Sequence, residues 1–560
     1  MRSPRSLAIT FIVAAVLFWP NQAPAARAQE PEGPLSREVL ALVEQLRGSV
    51  PIEEEEEAGP PLQRADPLAP VNALRKAQAT IRRLSGAGDP PTEKALRSAQ
   101  EALDQAWARY ASGSPDLSHL RDTAKALHRA QVHLKVAARS RDRSIAAASA
   151  ALQVELTAVA RRMAETLLAR ATDSGVLIGL LLPAVQKVEL ALGLAARGQH
   201  DAAAVHLAGA IDLAANTITF DVERYEQNIR DALAGKTVGH AFSTAFKGQL
   251  YQGGEWSGLA RTAADAPLTN QSPSKEVHVA SVSKTLTAIV ILRLLEENGL
   301  TPDTEVAPYL PSDWILGDGV ADLTFRDFMK HESGFAQINA GNTYAALRTA
   351  IATDVGDRSF SYKNANFGLM RVLAAGLMGY DLAQTPFPLT PDLLSTAMFL
   401  VNAQDLYDAI GVQVDCRRTD PSPTIHYNFP DGGDPGYLEP DRRATCGGYG
   451  WHISSNELAA VLANLRLTEN LISNETRGAM EDAFLGYMDP AEYGWIGGDF
   501  GVYYMHGGDW LHGSGEAHAC AVNFPIQVQT GLVVNSNLGP GTAYQCIVLQ
   551  TAFDNAWVAK

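Results

Sequence analysis

The chain has 560 residues, 46% of them hydrophobic and 19% charged, and carries a formal net charge of −16 at pH 7. That hydrophobic share excludes a disordered chain, and the length exceeds one ordinary core, so at least two domains are expected. The acidic balance argues against nucleic acid and other anionic partners.

In chain order, the first element reads as a secretory signal peptide over residues 1–28. Arg2 and Arg5 form its basic start, Leu7 to Phe18 its apolar core, and Ala26-Arg27-Ala28 a cleavage site before Gln29. This predicts export, to the periplasm or beyond. Residues 29–70 read as a proline- and glutamate-rich linker carrying the acidic run Glu53 to Glu57. From 71 to 235 the composition shifts to Ala, Leu, Arg and Gln, and the periodicity predicts helices near 71–85, 92–111, 116–139, 142–171, 176–197 and 200–232. These make an all-α helical bundle domain. No transmembrane segment is expected, because the apolar stretch Gly175 to Leu182 is short and Pro183 interrupts it. The bundle carries no catalytic motif and offers surface for a protein partner. The break near Gly235 predicts that it is separable from residues 236–560.

After Lys236 the pattern becomes strand-like, at Val238 to Phe246, Gln249 to Gln252 and Gly258 to Arg261. A polar loop then gives way to an apolar helix at Ser281-Val282-Ser283-Lys284. Residues at i and i+3 share a helix face, so Ser281 and Lys284 stack one above the other. At a helix start, free backbone N–H groups and the dipole favour developing negative charge. A serine hydroxyl is a weak nucleophile until its proton is taken, and a neighbouring ammonium eases that loss. Four cysteines follow, Cys416, Cys446, Cys520 and Cys546. An exported chain with an even count suggests disulfides, and of three connectivities Cys416–Cys446 with Cys520–Cys546 is favoured.

Further segments follow the serine. They are Leu323-Thr324-Phe325 through His331-Glu332-Ser333-Gly334-Phe335, Tyr362-Lys363-Asn364, Gly447-Gly448-Tyr449-Gly450-Trp451, His506-Gly507-Gly508, and the strand-like Thr530 to Asn537. This ordered series resembles the serine β-lactamase-related superfamily, in its class C branch of β-lactamases, esterases and D-amino-acid peptidases. The resemblance spans about Val238 to Lys560. It implies an α+β fold: a β-lactamase/penicillin-binding-protein-like catalytic domain, an antiparallel sheet flanked by helices, preceded here by the bundle.

The resemblance implies that Ser281 is the nucleophile that forms an acyl-enzyme, with Lys284 its partner and Tyr362 the general base. Asn364 completes the Tyr-x-Asn motif. A free phenol, with a pKa near ~10, needs adjacent cations to serve as a base at neutral pH. The third motif falls on His506-Gly507-Gly508, with His512-Gly513-Ser514 as the rival placement. An oxyanion hole then combines the Ser281 N–H with one near Asp509, beside Gly508.

No Lys-Thr-Gly occurs, which argues against an efficient β-lactamase, and Glu332 stands where the family commonly has Thr. No Gly-x-Ser-x-Gly elbow is present, and His331-Glu332 lacks a second histidine at i+4. No metal and no cofactor are therefore expected, the loose set His506, His512 and His518 included. The expected activity is cleavage of a small ester, a peptide or a cell-wall-derived amide. The alternatives are a non-catalytic binding or scaffold protein on the same fold and a weak β-lactamase.

Overall fold

The computed structural model describes residues 37–46, 66, 69–335 and 341–560. Residues 1–28, expected to be a signal peptide, and the acidic run Glu53 to Glu57 lie outside the described residues.

The first described helix, α1 (Arg37–Leu46), falls in the stretch read as linker. Val39, Val43 and Leu46 repeat at helical spacing and are buried, and the helix packs on α13, given below. The bundle follows as α2 (Pro70–Leu84), α3 (Pro90–Ser112), α4 (Ser118–Ala137), α5 (Arg143–Asp173), α6 (Ile178–Ala195) and α7 (His200–Ala215). Sequence-local signals set several starts. Asp89 caps α3 by accepting the Thr92 N–H, and Asp142 accepts two N–H groups at the head of α5. Alanines such as Ala99, Ala106, Ala130, Ala160 and Ala210 are buried between helices, where their small side chains let the backbones approach.

Two expectations are corrected here. Pro183 does not interrupt α6; it lies inside the helix, one turn in, at the cost of one ladder hydrogen bond. Among the described residues α6 is the one helix long and apolar enough to cross a membrane. It packs on α5 and α7 through Leu181, Ala184, Val188 and Ala191, while Leu177, Ile178 and Leu180 are 74%, 71% and 62% exposed. The helix expected over 200–232 is also broken, by a strand β1 (Ile218–Phe220), before α8 (Val222–Leu233). The strand exists because it pairs antiparallel with the last strand of the chain, β11 (Trp557–Ala559).

The remaining strands are β2 (Gly239–Phe246), β3 (Gln249–Leu250), β4 (Glu255–Arg261), β5 (Thr269–Asn270), β6 (Val277–His278), β7 (His452–Ile453), β8 (Tyr504–His512), β9 (Gly515–Phe524) and β10 (Val528–Val534). Seven of them form one sheet in the order β5-β4-β2-β10-β9-β8, with β3 beside β2, and every pair is antiparallel. The helices around it are α9 (Ser283–Glu297), α10 (Phe325–Met329), α11 (Tyr344–Ile351), α12 (Asn364–Leu377), α13 (Pro391–Asp408), α14 (Ser455–Leu467), α15 (Asn474–Ala483) and α16 (Gln545–Asp554). Helix α9 is buried all round from Ser283 to Leu292, because it passes between the sheet and α12, α13 and α15. Both disulfides form, Cys416–Cys446 and Cys520–Cys546, and among the described residues no cysteine is free.

The described residues from Arg37 to Lys560 belong to one compact unit. The helical region is joined to the sheet half by polar contacts, most of them buried. The Tyr110 hydroxyl donates to the Gly498 carbonyl, and Trp107 Nε1 donates to Asp482 at 3.0 Å. His119 Nε2 meets the Phe500 carbonyl at 2.8 Å, and the Tyr225 hydroxyl of α8 donates to Thr530 on β10 at 2.9 Å. Helix α8, assigned to the bundle by composition, thus packs on β10 and α16.

Candidate active site

A 3-10 turn, Ala280–Val282, leads into α9 and carries Ser281. Ala280 takes φ +45°, in the left-handed region, so the backbone turns sharply just before the serine. The two-stranded ladder β6–β7 and the bond from Val279 N–H to the Trp451 carbonyl at 3.0 Å tie this turn to the Gly447–Trp451 segment.

Ser281 and Lys284 are both fully buried. Lys284 Nζ donates to Ser281 Oγ at 2.7 Å, Asn364 Oδ1 at 2.6 Å and the Gly448 carbonyl at 2.7 Å. Asn364 Oδ1 and the Gly448 carbonyl can only accept, so two of the lysine's N–H groups are fixed on them, and the third contact falls on the serine hydroxyl. The same Nζ lies 4.7 Å from the centre of the Tyr362 ring. Tyr362 and Asn364 stand at the head of α12, one on each side of Lys363, so one helix start presents both side chains to the lysine.

Tyr362 Oη lies 2.5 Å from Ser281 Oγ and 3.3 Å from His506 Nε2. His506 Nδ1 meets the Gly486 carbonyl at 2.9 Å. A carbonyl only accepts, so the ring proton sits on Nδ1 and Nε2 offers a lone pair to the phenol. Burial, then the Lys284 charge, push the His506 pKa down to about 3, so the ring is neutral. Ser281, Tyr362 and His506 therefore form one line of hydrogen-bonding atoms with the ammonium beside it. A cavity of about 20 Å³, room for one water, adjoins Tyr362 and His506 and is also lined by His331, Tyr487 and Glu492.

Strand β8 supplies the other wall. Gly508 lies against the nucleophile turn: a Cβ there would collide with the Val279 carbonyl and stand 3.0 Å from the Ser281 N. A Cβ on Gly507 would strike the Tyr544 hydroxyl on the opposite face. Asp509 turns its side chain to that opposite face, where Oδ1 meets His518 Nδ1 at 2.6 Å and the Gln545 amide at 2.9 Å. Hydrogen bonds to Asp509 and Glu516 outweigh burial and raise the His518 pKa to about 9. His512 is not near this group. It sits at the β8–β9 hairpin, stacked on Tyr437 with ring centres 3.7 Å apart.

Several residues that hold the site were given no role there from the sequence. Gly448 and Gly486 act through backbone carbonyls, which carry no side-chain signal. His518 and Gln545 reach Asp509 only through strand register and helix docking. Three further histidines, His278, His426 and His452, are buried behind the nucleophile turn, with His278 within 6.4 Å of both others, centre to centre. Among the described residues no group of His, Cys, Asp or Glu is arranged to hold a metal ion.

The family model described as Beta-lactamase matches residues 226–551. Similar solved structures include the octameric penicillin-binding protein homologue from Pyrococcus abyssi, at 17% identity over 59% of this chain and 76% of that one, with a TM-score of 0.44. A class C beta lactamase from Rhodobacter sphaeroides is 17% identical over 59% of this chain and 98% of its own, with a TM-score of 0.42. A D-stereospecific amidohydrolase from Streptomyces sp. is 16% identical over 60% and 98%, with a TM-score of 0.42. The match from 226 takes in most of α8 as well as the sheet half and covers more than half of the chain, which belongs to the Beta-lactamase family.

Proposed function

We propose that the protein is an exported serine hydrolase that cleaves an ester or amide through an acyl-enzyme on Ser281. The observation that carries this reading is the placement of one hydroxyl, Ser281 Oγ, within hydrogen-bond reach of both Lys284 Nζ and Tyr362 Oη. In the first half-reaction Tyr362 acts as the phenolate stabilised by the adjacent Lys284 ammonium: Oγ bonds to the substrate carbonyl carbon while its proton passes to that phenolate oxygen. As the bond to the alcohol or amine breaks, Tyr362 supplies a proton to that leaving group. Water then attacks the acyl carbon, gives its proton up along the same line and releases Ser281. Lys284 stays charged and stabilises the oxygens at both ends of the transfer. His506, neutral and fixed by Gly486, accepts a hydrogen bond from the phenol that this transfer forms.

A neutral imidazole at the third motif gives no cation for the carboxylate of a β-lactam antibiotic, so esters and D-amino-acid amides are favoured over β-lactams. Export rests on the residues 1–28 pattern. A panel of short-chain acyl esters and D-alanyl peptides, assayed with the wild type and Ser281→Ala, tests the proposal. Turnover by the wild type that vanishes in the variant supports it. Equal rates in both would refute it.

A further inference from the structure

The segment His331-Glu332-Ser333-Gly334 plays no part in the chemistry above, yet His331 lies against its base. The ring is 94% buried and stands 4.4 Å from the Tyr362 ring, centre to centre. Its backbone carbonyl accepts the Ser361 N–H at 2.8 Å, and its Nδ1 accepts the Lys363 N–H at 3.2 Å. The amides on both sides of Tyr362 thus end on this one residue. Nδ1 also faces the Asn366 amide nitrogen at 3.0 Å, and Asn366 is oriented by Ser333 Oγ, which donates to its Oδ1 at 2.6 Å. A backbone N–H only donates, so Nδ1 must be bare and the imidazole neutral. The residue holds φ +60°, a conformation uncommon outside glycine and retained where the surroundings demand it.

We propose that His331 is a positioning residue for Tyr362, clamping residues 361 and 363 so that the phenol oxygen stays on Ser281 Oγ. This rests on the reading of Tyr362 as the base. Tyr362 lies one residue before Lys363, the N-cap of α12, and Lys363 makes no capping side-chain hydrogen bond. His331 holds that turn from the neighbouring segment, through the Ser361 and Lys363 N–H groups. Burial, and after it the charge on Lys284 and the nearby His506, keep the ring well below the usual histidine range, so the acceptor persists in acid.

Two variants separate the acceptor from the backbone conformation. His331→Gly permits φ +60° but removes the acceptor; His331→Asn also tolerates that φ and puts an amide oxygen near the place of Nδ1. We expect His331→Gly to lower kcat by about 10²-fold, the size of effect a misplaced group produces, with KM changed less than about twofold. His331→Asn should recover about tenfold of that loss. Amide hydrogen exchange at Ser361 and Lys363 should quicken in His331→Gly and slow again in His331→Asn. Equal kcat in the two variants, or unchanged exchange at both amides, overturns the proposal. The exchange arm does not depend on turnover. An inert wild type with faster exchange in His331→Gly would sustain the clamp and sink the hydrolase reading instead.

Discussion

Tyr362 Oη stands 2.5 Å from Ser281 Oγ and 3.3 Å from His506 Nε2, so one phenol connects the nucleophile to a neutral imidazole. Lys284 reaches the same serine from the other side at 2.7 Å. Each group has a distinct partner set, and single substitutions should therefore have separable effects.

Lys284→Ala removes the charge shared by Ser281, Asn364 and Gly448, and Tyr362→Phe removes the proton carrier. Each should lower kcat/KM by about 10²–10⁴-fold, the range for acid–base groups. Lys284→Ala should also lower the melting temperature, because the Gly448 carbonyl and Asn364 lose a buried partner. Steady-state kinetics and thermal melts check both. A Tyr362→Phe enzyme within threefold of wild type would mean that the proton leaves by another route.

His506→Ala should lower activity more than His512→Ala, since only His506 reaches Tyr362. The stacking of His512 on Tyr437 and its hydrogen bonds to Ser514 are confined to the hairpin, so its variant should stay within about twofold. The reverse ordering would assign the third motif to the hairpin.

Stability should fall in acid. Seven buried histidines, His119, His240, His278, His331, His426, His452 and His506, have pKa values depressed chiefly by burial. Below about pH 6.5 the unfolded chain binds protons at these positions and the folded chain does not, so stability is lost from there down to about pH 3–4, where His426, His452 and His506 titrate. Buried Glu226 and Asp554, both pushed up to about 7, act in the opposite sense, and seven sites outweigh two. His518 works the other way: its contribution is full below about pH 6.5 and is lost as pH rises through about 9. Melting temperature should therefore peak between these limits, and His278→Leu should flatten the acid limb. A melting temperature constant from pH 7 to 4.5 would contradict this.

The helical region should not be removable without loss. A start at Ala234 deletes α8 and β1, stripping β11 of its partner and β10 of the Tyr225 hydrogen bond. A start at Thr217 keeps these but uncovers the surface under Tyr110 and His119. We expect the first fragment to be insoluble, and the second to melt well below the full chain. Full activity and an unchanged melting temperature from residues 234–560 would show that the two parts are independent.

Much of this was legible from local signals. Helices α2 to α6 begin and end within a few residues of the expected places, because Asp and Pro starts and Gly stops act over single turns. The pairs Ser281 with Lys284 and Tyr362 with Asn364 each fall at one helix start, where sequence spacing is spatial proximity. The rest is long-range. Strand β1 is set by a partner at the far end of the chain, so residues 218–220 carry no local reason to leave the helix. Helix α1 was hidden by the prolines and acids around Val39, Val43 and Leu46. Choosing His506 over His512 needs the position of β8 against the nucleophile turn, which composition does not encode.

Intact-mass analysis after treatment with a fluorophosphonate probe tests the central claim most directly, followed by mapping of the modified peptide. The account predicts one adduct per chain, located on Ser281, absent in Ser281→Ala and slowed in Lys284→Ala and Tyr362→Phe. An unmodified wild type, or an adduct that persists in Ser281→Ala, would contradict it.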